Sequence, residues 1–332
     1  MLDPLYPLKF CPLYEQQPWA GNLLAEFLSN TPEQPSPPPG TAAAWAILDE
    51  AERSTPVANG PLQGMTLSEA VRRYAAALVG YRHSQGQPFP VCLRLVDVGA
   101  PQPLLVHPTN PFSDDALTFL PNTKFWYSVN SRPGAWVIAG IRSGVTRLEV
   151  LARLHSPEMD RVLEVFPAAP GDAFLIPRGR IHSLGTGALL WELQERPAVP
   201  LRIAAFRPED QVSRREAQAG LSVVQFQDRQ LSRISHEAGK GLQTRRVPLV
   251  HHCPQFIVDE LRLFDHLFDR TTGESCHLLA LIRGTVEIHT GAGVETLQQG
   301  AVACIPARLG DYRMYTLTDT ATILRVIPQK MR

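Results

Sequence analysis

Gly171, Pro177, Gly179 and His182 stand in the spacing G-x5-P-x-G-x2-H, and these are the residues of the chain best suited to do chemistry. Residues 173–176 alternate as a buried strand and Pro177 with Gly179 supplies a turn. His182 then opens the next strand, its imidazole directed into a small β-barrel. An imidazole held there is suited to bind a metal ion. A plain hairpin whose histidine only packs or caps would have the same spacing. His251-His252-Cys253 also invites a metal reading, but neighbours on a strand point to opposite faces and cannot share one ion, so this run reads as structural. Arg94, Arg178, Arg180 and Arg202 together could form an anion pocket, although an arginine is more often simply solvated. Trp126, Tyr127 and Trp191 read first as barrel core, with stacking on a sugar ring as the alternative.

The elements that must position these groups are mostly strands. From Val91 onward the chain runs through VCLRLVDV, LLVH, FWYSV, AWVIAGI, DAFLIP and ALLWELQ, broken by proline and glycine, which is the texture of a β domain. Helical stretches are expected at 146–154 and 158–165, ending at Pro167, and again at 208–219, stopped by Gly220. Earlier, Thr66-Leu-Ser-Glu69 forms a capping box ahead of Leu67, Val71, Tyr74 and Leu78, and Gly80 suits a C-cap. Residues 31–40 are too proline-rich for either helix or central strand. After a polar stretch at 227–246 the strand texture returns. There Gly300 to Pro306 repeats the G-x5-P frame of Gly171 to Pro177, which signals an internal duplication of barrel architecture. The histidine is missing from the repeat: Pro306 is followed by Ala-Arg-Leu-Gly-Asp-Tyr, so the second barrel is expected to be metal-free, with a structural or lid-like role.

Length and charge bound the function. A chain of 332 residues is long enough for two or three domains. With 32 basic and 32 acidic side chains it offers no field of one sign for nucleic acid or a membrane surface. The five cysteines are scattered without a C-x2-C pair and read as reduced thiols of a cytoplasmic protein. Neither a basic leader nor an apolar run of spanning length is evident.

Taken in order, LKFCPLYEQQPWAG, STPVANGPLQGMTLSEAV, FPVCLRLVDVGAPQPLLVHP, GDAFLIPRGRIHSLGTGALLWELQE and GAVACIPARLGDY resemble the type I phosphomannose (mannose-6-phosphate) isomerases over nearly the whole chain. The resemblance implies a mainly β fold of two cupin (jelly-roll) barrels with a helical insertion. The division expected is 1–205 for an N-terminal segment and the first barrel, with the insertion at about 144–166. A helical and polar connection at 206–240 and the second, metal-free barrel at 241–332 follow. The family is implied to hold zinc with a glutamine and a histidine two residues apart, a glutamate in K-T-E-x-W-Y, and the histidine of P-x-G-x-x-H. Here these positions read Leu105, His107, Lys124 and His182, so His107 and His182 remain as a partial metal site. A catalytic zinc normally keeps three protein ligands and a water. Lys124 is the harsher change, since a dication about 4 Å from an ammonium costs roughly 8 kcal/mol at an effective dielectric near 20. Either Lys124 turns away or is neutral, or its ammonium takes the cation's place between the histidines, which is the reading preferred. Glycine-glutamate-serine-tryptophan-glutamate becomes Ala42-Ala43-Ala44-Trp45-Ala46, Arg94 stands for the lysine of the first strand, and Arg202 matches an arginine of the family's active site.

Three functions follow as expectations. The first is a degenerate relative that binds a sugar or sugar phosphate through Arg94 and Arg202, with zinc weak or absent and isomerisation weak or lost. The second is an aldose-ketose isomerase in which Lys124 replaces the metal as electrophile and Arg202 assists, with Glu192, Glu195 or Asp97 as the base. The third is a metal site completed by a displaced carboxylate such as Asp114 or Asp115.

Overall fold

The computed structural model describes residues 4–29, 31, 36–83, 86–113, 117–154, 156–207, 210–234 and 243–329. Two sheets build the first barrel. One has five strands, in spatial order Leu163–Pro167, Trp136–Ile141, His182–Leu184, Leu104–Val106 and Leu201–Ala204. The other has seven and carries Ala173–Ile176, Lys124–Ser131, Ala188–Gln194, Cys92–Val98 and Thr41–Ile47 side by side. Val96, Trp126, Phe174, Ile176 and Leu190 of the larger sheet pack on Val137, Ala139 and Leu184 of the smaller one, so the space between the sheets is an apolar core with polar groups set into it.

The outer face of the five-stranded sheet is covered by helices. Leu104, Val106, Ile138 and Ile203 pack there on Val150, Ala217 and Leu221. The helix Arg147–Arg153 begins on Thr146, whose side chain accepts from the Glu149 amide while Glu149 reaches back, and Arg214–Ser222 begins on Ser213 and Glu216 in the same way. The helical stretch expected through 165 stops earlier. After a 3-10 turn at Pro157–Arg161, residues Leu163–Pro167 form an edge strand on Trp136–Ile141, because Leu163 is buried by that pairing and Pro167 needs no partner amide at an edge.

The second barrel pairs a six-stranded sheet with the four strands His266–Arg270, Asp311–Thr316, Thr285–Thr290 and Gly293–Gln298. Its interior is filled by Leu261, Leu279, Leu281, Ile288, Met314 and Ile323. The two barrels pack back to back. Leu93, Leu95, Phe125 and Trp191, facing outward from the first, share one core with Val258, Leu278, Ala280 and Leu324, facing outward from the second. The N-terminal segment serves both: Leu8–Lys9 pairs with Cys304 and Ala303 in the six-stranded sheet, whereas Leu13–Gln16 pairs with Thr41–Ile47 in the seven-stranded sheet.

Candidate site inside the first barrel

Strand register assembles the site. Across five adjoining strands Trp45 lies opposite Arg94, Arg94 opposite Glu192, Glu192 opposite Trp126, and Trp126 opposite Phe174. Directly opposed residues share a face, so this row lies along the barrel interior. Lys124, two residues before Trp126, projects from the same face. From the facing sheet, His182 lies opposite Leu105, which also opposes Arg202.

Glu192 is the hub. It is buried, and its Oε2 accepts from the Lys124 ammonium at 3.2 Å and the Trp126 indole N–H at 2.8 Å. Its Oε1 accepts from Arg94, whose Nε and Nη2 both lie 2.8 Å away. Burial pushes the carboxyl up, but Arg94, Lys124 and the Trp126 hydrogen bond outweigh it and hold Glu192 well below the usual carboxylate range. Burial in turn lowers the Lys124 ammonium, against the attraction of Glu192. Arg94 stacks on the Trp45 ring at 4.5 Å, and Trp45 donates to Glu15 at 2.9 Å, so the surviving tryptophan of the alanine-rich strand fixes the guanidinium.

The histidines meet as expected. Their rings stack at 5.6 Å with 13° between planes, and Trp126 meets His182 edge-on at 5.7 Å. His182 Nδ1 lies 3.0 Å from the Arg180 carbonyl, which can only accept, so the proton is on Nδ1 and Nε2 presents a lone pair. That Nε2 is buried without a hydrogen-bond partner, and His107 beside it faces the Leu120 backbone. Burial, then the Lys124 charge, lowers His182 to about 4; the same two causes, followed by His182 itself, hold His107 well below the usual imidazole value.

The other candidates lie elsewhere. Arg202 is half-buried and bonds Glu216 at 2.6 Å, beside the site rather than in the Glu192 row. Asp97 is directed away from it: on the face opposite Arg94 it accepts from the Leu24 amide at 2.8 Å, and burial pushes its carboxyl up to about 6. Glu195 is bound by Arg178 at 3.0 and 2.5 Å and by the Thr123 amide at 2.7 Å, which ties the Pro177 turn to the strand that carries Lys124. Arg180 is buried on Asp228 and two carbonyls. Tyr127 leaves the first barrel altogether and donates to Glu260 of the second at 2.7 Å. His251 bonds Asp259 at 2.6 Å, and His252 does not join it. Asp114 and Asp115 lie outside the described residues.

The donors do not fit a four-coordinate zinc. Among the described residues no three or more His, Cys, Asp or Glu side chains converge on one point, and Leu105 and Lys124 supply no lone pair toward a cation. What the sequence missed is Glu192 as the counter-ion. A single carboxylate inside the fully buried run Ala188–Gln194 was the signal, because such a group requires a buried cation opposite it.

Fold and site together define a two-barrel cupin protein. No family model matches the chain. It is 24% identical over 313 residues, 93% of its length and 95% of the relative's, to the mannose-6-phosphate isomerase ManA of Bacillus subtilis (strain 168). It is 27% identical over 200 residues, 60% of each chain, to a mannose-6-phosphate isomerase of Streptococcus mutans. Its fold matches the crystal structure of a Bacillus subtilis mannose 6-phosphate isomerase with a TM-score of 0.77 at 22% identity, over 96% of this chain and 99% of that one. It also matches a mannose 6-phosphate isomerase crystallised with zinc and yttrium, with a TM-score of 0.73 at 12% identity, over 97% and 99% of the two chains. In sequence and fold the chain is thus similar to the mannose-6-phosphate isomerases. No described helix is long and apolar enough to cross a membrane.

Proposed function

We propose that this protein binds a sugar or sugar phosphate in the first barrel and has lost most or all zinc-dependent isomerisation. The observation that carries the reading is the Lys124–Glu192 pair, a cation and its counter-ion built into the barrel beside two stacked imidazoles. Aldose-ketose isomerisation through an enediol needs a base for the proton next to the carbonyl and a positive group for the developing oxyanion. Glu192 is a poor base here, since Arg94, Lys124 and Trp126 already occupy its oxygens and keep it ionised. The imidazoles are neutral and weakly basic. Each 1.36 kcal/mol of lost transition-state stabilisation slows the reaction about tenfold. The polar lining still suits hydroxyl groups, and Arg202, half-buried next to the His182 row, is the cation we assign to a phosphate once Glu216 releases it. Arg94 supports the site through Glu192 instead of meeting ligand.

One observation favours a second reading, an active metal-free isomerase: a single N–H of the Lys124 ammonium is engaged by Glu192, which leaves donors that could polarise a carbonyl. Elemental analysis of the untagged protein, beside a coupled mannose 6-phosphate isomerase assay with and without zinc, separates the two. We expect no stoichiometric metal, no turnover, and saturable binding of mannose 6-phosphate. Turnover that survives a strong chelator and vanishes in Lys124→Ala would establish the second reading. Zinc near one per chain with chelator-sensitive turnover would overturn both.

A further inference from the structure

A cavity of about 830 Å³ lies at the Leu163–Pro167 edge of the five-stranded sheet, the edge opposite the Leu201–Ala204 strand that carries Arg202. Its walls are the loop 140–147, the turn 179–181 and the segment 224–233, which ends by pairing with Ala173–Ile176. His107, Lys124, His182 and Glu192 are not among its lining residues. Gly179 is the partition between the two places: its N–H donates to the His107 carbonyl at 2.7 Å, and its carbonyl accepts from the Gln225 amide at 2.9 Å.

Buried polar contacts fix the shape of this recess. Arg180 is 4% exposed, and its guanidinium holds the segment 224–233 through Asp228 and the Gln230 carbonyl, both at 2.8 Å. Gly140, at a φ of +127°, has little space for a side chain: a Cβ there would stand 3.1 Å from Glu164 Oε2 and 3.3 Å from the Ser232 hydroxyl that bonds it. Ile141, Phe166, Ile181, Val224 and Phe226 give the apolar lining, and Phe166 and Phe226 are only half-buried. Five arginines but only two carboxylates line the same space. Asp228 is paired with Arg180, and Arg233 with Asp172 beyond the lining, while Glu164 accepts from Ser232. Among the described residues Arg142, Arg147 and Arg229 are left without a carboxylate partner, and all three are exposed. One such guanidinium would be satisfied by water, but three around a concave, partly apolar space concentrate a positive field on it.

The geometry points to a second ligand site here, for a small organic anion that carries an apolar ring. The ring packs against Phe166 and Phe226, and the anionic group meets Arg147 and Arg229, whose planar forks match a pair of carboxylate, sulfonate or phosphate oxygens. The volume falls within the range of about 300–1,000 Å³ usual for small-molecule sites. A sugar phosphate has no apolar ring to offer, so this ligand and the one proposed for the barrel interior should bind independently.

The test uses the full chain and anilinonaphthalene sulfonate, an anionic aromatic probe whose fluorescence rises on binding, beside its neutral relative phenylnaphthylamine. Wild type is expected to bind the sulfonate saturably, at about one per chain. Arg147→Ser/Arg229→Ser, which removes two exposed and unpaired charges, should weaken the sulfonate at least about tenfold and leave the neutral probe within about twofold. Ser143→Trp, which fills the cavity from its exposed rim, should weaken both probes, with circular dichroism showing that each variant is folded. No saturable binding in wild type overturns the inference, as does an affinity for the sulfonate unchanged in both variants, which would place the probe elsewhere. Competitive displacement of the probe by mannose 6-phosphate also overturns it, because the cavity would then belong to the sugar phosphate itself.

Discussion

The two barrels hold their interior charges with opposite sign at equivalent places. In the first, a central carboxylate, Glu192, is flanked by two cations, Arg94 and Lys124; in the second, a central guanidinium, Arg325, is flanked by two carboxylates, Asp259 and Asp269. Sheet register makes Glu192 and Arg325 equivalent, and likewise Arg94 and Asp259. The barrel frame therefore asks for mutually paired charges at this depth and is indifferent to which sign is in the middle, since only the unpaired charge is expensive. The clusters differ in what they leave over. The second is closed on itself, with His277 bonded to the Tyr312 hydroxyl at 2.8 Å and Arg246 on Asp269 at 2.9 Å. The first leaves His182 Nε2 buried without a partner, and the proposed ligand site rests on that surplus.

Breaking either centre should therefore cost similar stability but unfold different halves. Arg325→Met leaves the buried Asp259 and Asp269 with only His251 and Arg246 and is expected to cost about 3–5 kcal/mol; Glu192→Gln strands two cations, with Arg94 still near Glu15, and should cost about 3 kcal/mol. All five tryptophans precede residue 192, so their fluorescence reports the first barrel, whereas far-ultraviolet circular dichroism reports both. In urea, Arg325→Met should lose circular dichroism before fluorescence, and Glu192→Gln should lose fluorescence first. Coincident transitions in both variants would mean the shared core couples the barrels into one unit. Lys124→Met should cost less, about 1–2 kcal/mol, because Glu192 keeps Arg94 and Trp126; a loss as large as that of Glu192→Gln would show that Lys124 is the essential partner. Tyr127→Phe removes the bond to Glu260 across the two barrels, and Glu260 keeps Arg262, so about 1–2 kcal/mol is expected, with the two urea transitions drawn apart.

The smallest effect is a slope with pH. His277 is lowered by burial from 6.5 to about 4, so between those values the unfolded chain binds a proton that the folded chain does not. Stability should fall as pH drops from about 6.5 to about 4, by up to one proton's worth of slope from this residue. His277→Gln should flatten that slope in circular dichroism melts, and an unchanged slope would mean that His277 is protonated in the fold.

Much of this was legible in the chain. The G-x5-P frames at Gly171 and Gly300 announced two barrels, and the Thr66–Glu69 box places its helix at Leu67–Tyr74. His107 and His182 share one interior because a turn of fixed length and a strand parity bring them there. The counter-ions were not legible. Lys124 and Glu192 are 68 residues apart, and their meeting depends on which residue of one strand faces which of the next. A shift of one residue in that register would turn Glu192 to the outer face. Asp97 failed as a base candidate for the same reason, since it is an odd number of residues from Arg94 on a continuous strand and so faces the other way. Arg325, Asp259 and His277 sit singly in apolar runs, and nothing local tells that they converge.

The short strand Leu8–Lys9 has a consequence in time. Its partners, Cys304 and Ala303, leave the ribosome only roughly 300 residues later, at about 5–20 residues per second, so Leu8 waits some 15–60 s after its own synthesis for a surface to pair with. During that interval the first barrel can close while the six-stranded sheet still lacks an edge. The N-terminal strand thus acts as a late clasp, set only when the second barrel is complete, and a nascent chain stalled before residue 302 leaves that clasp open to other partners.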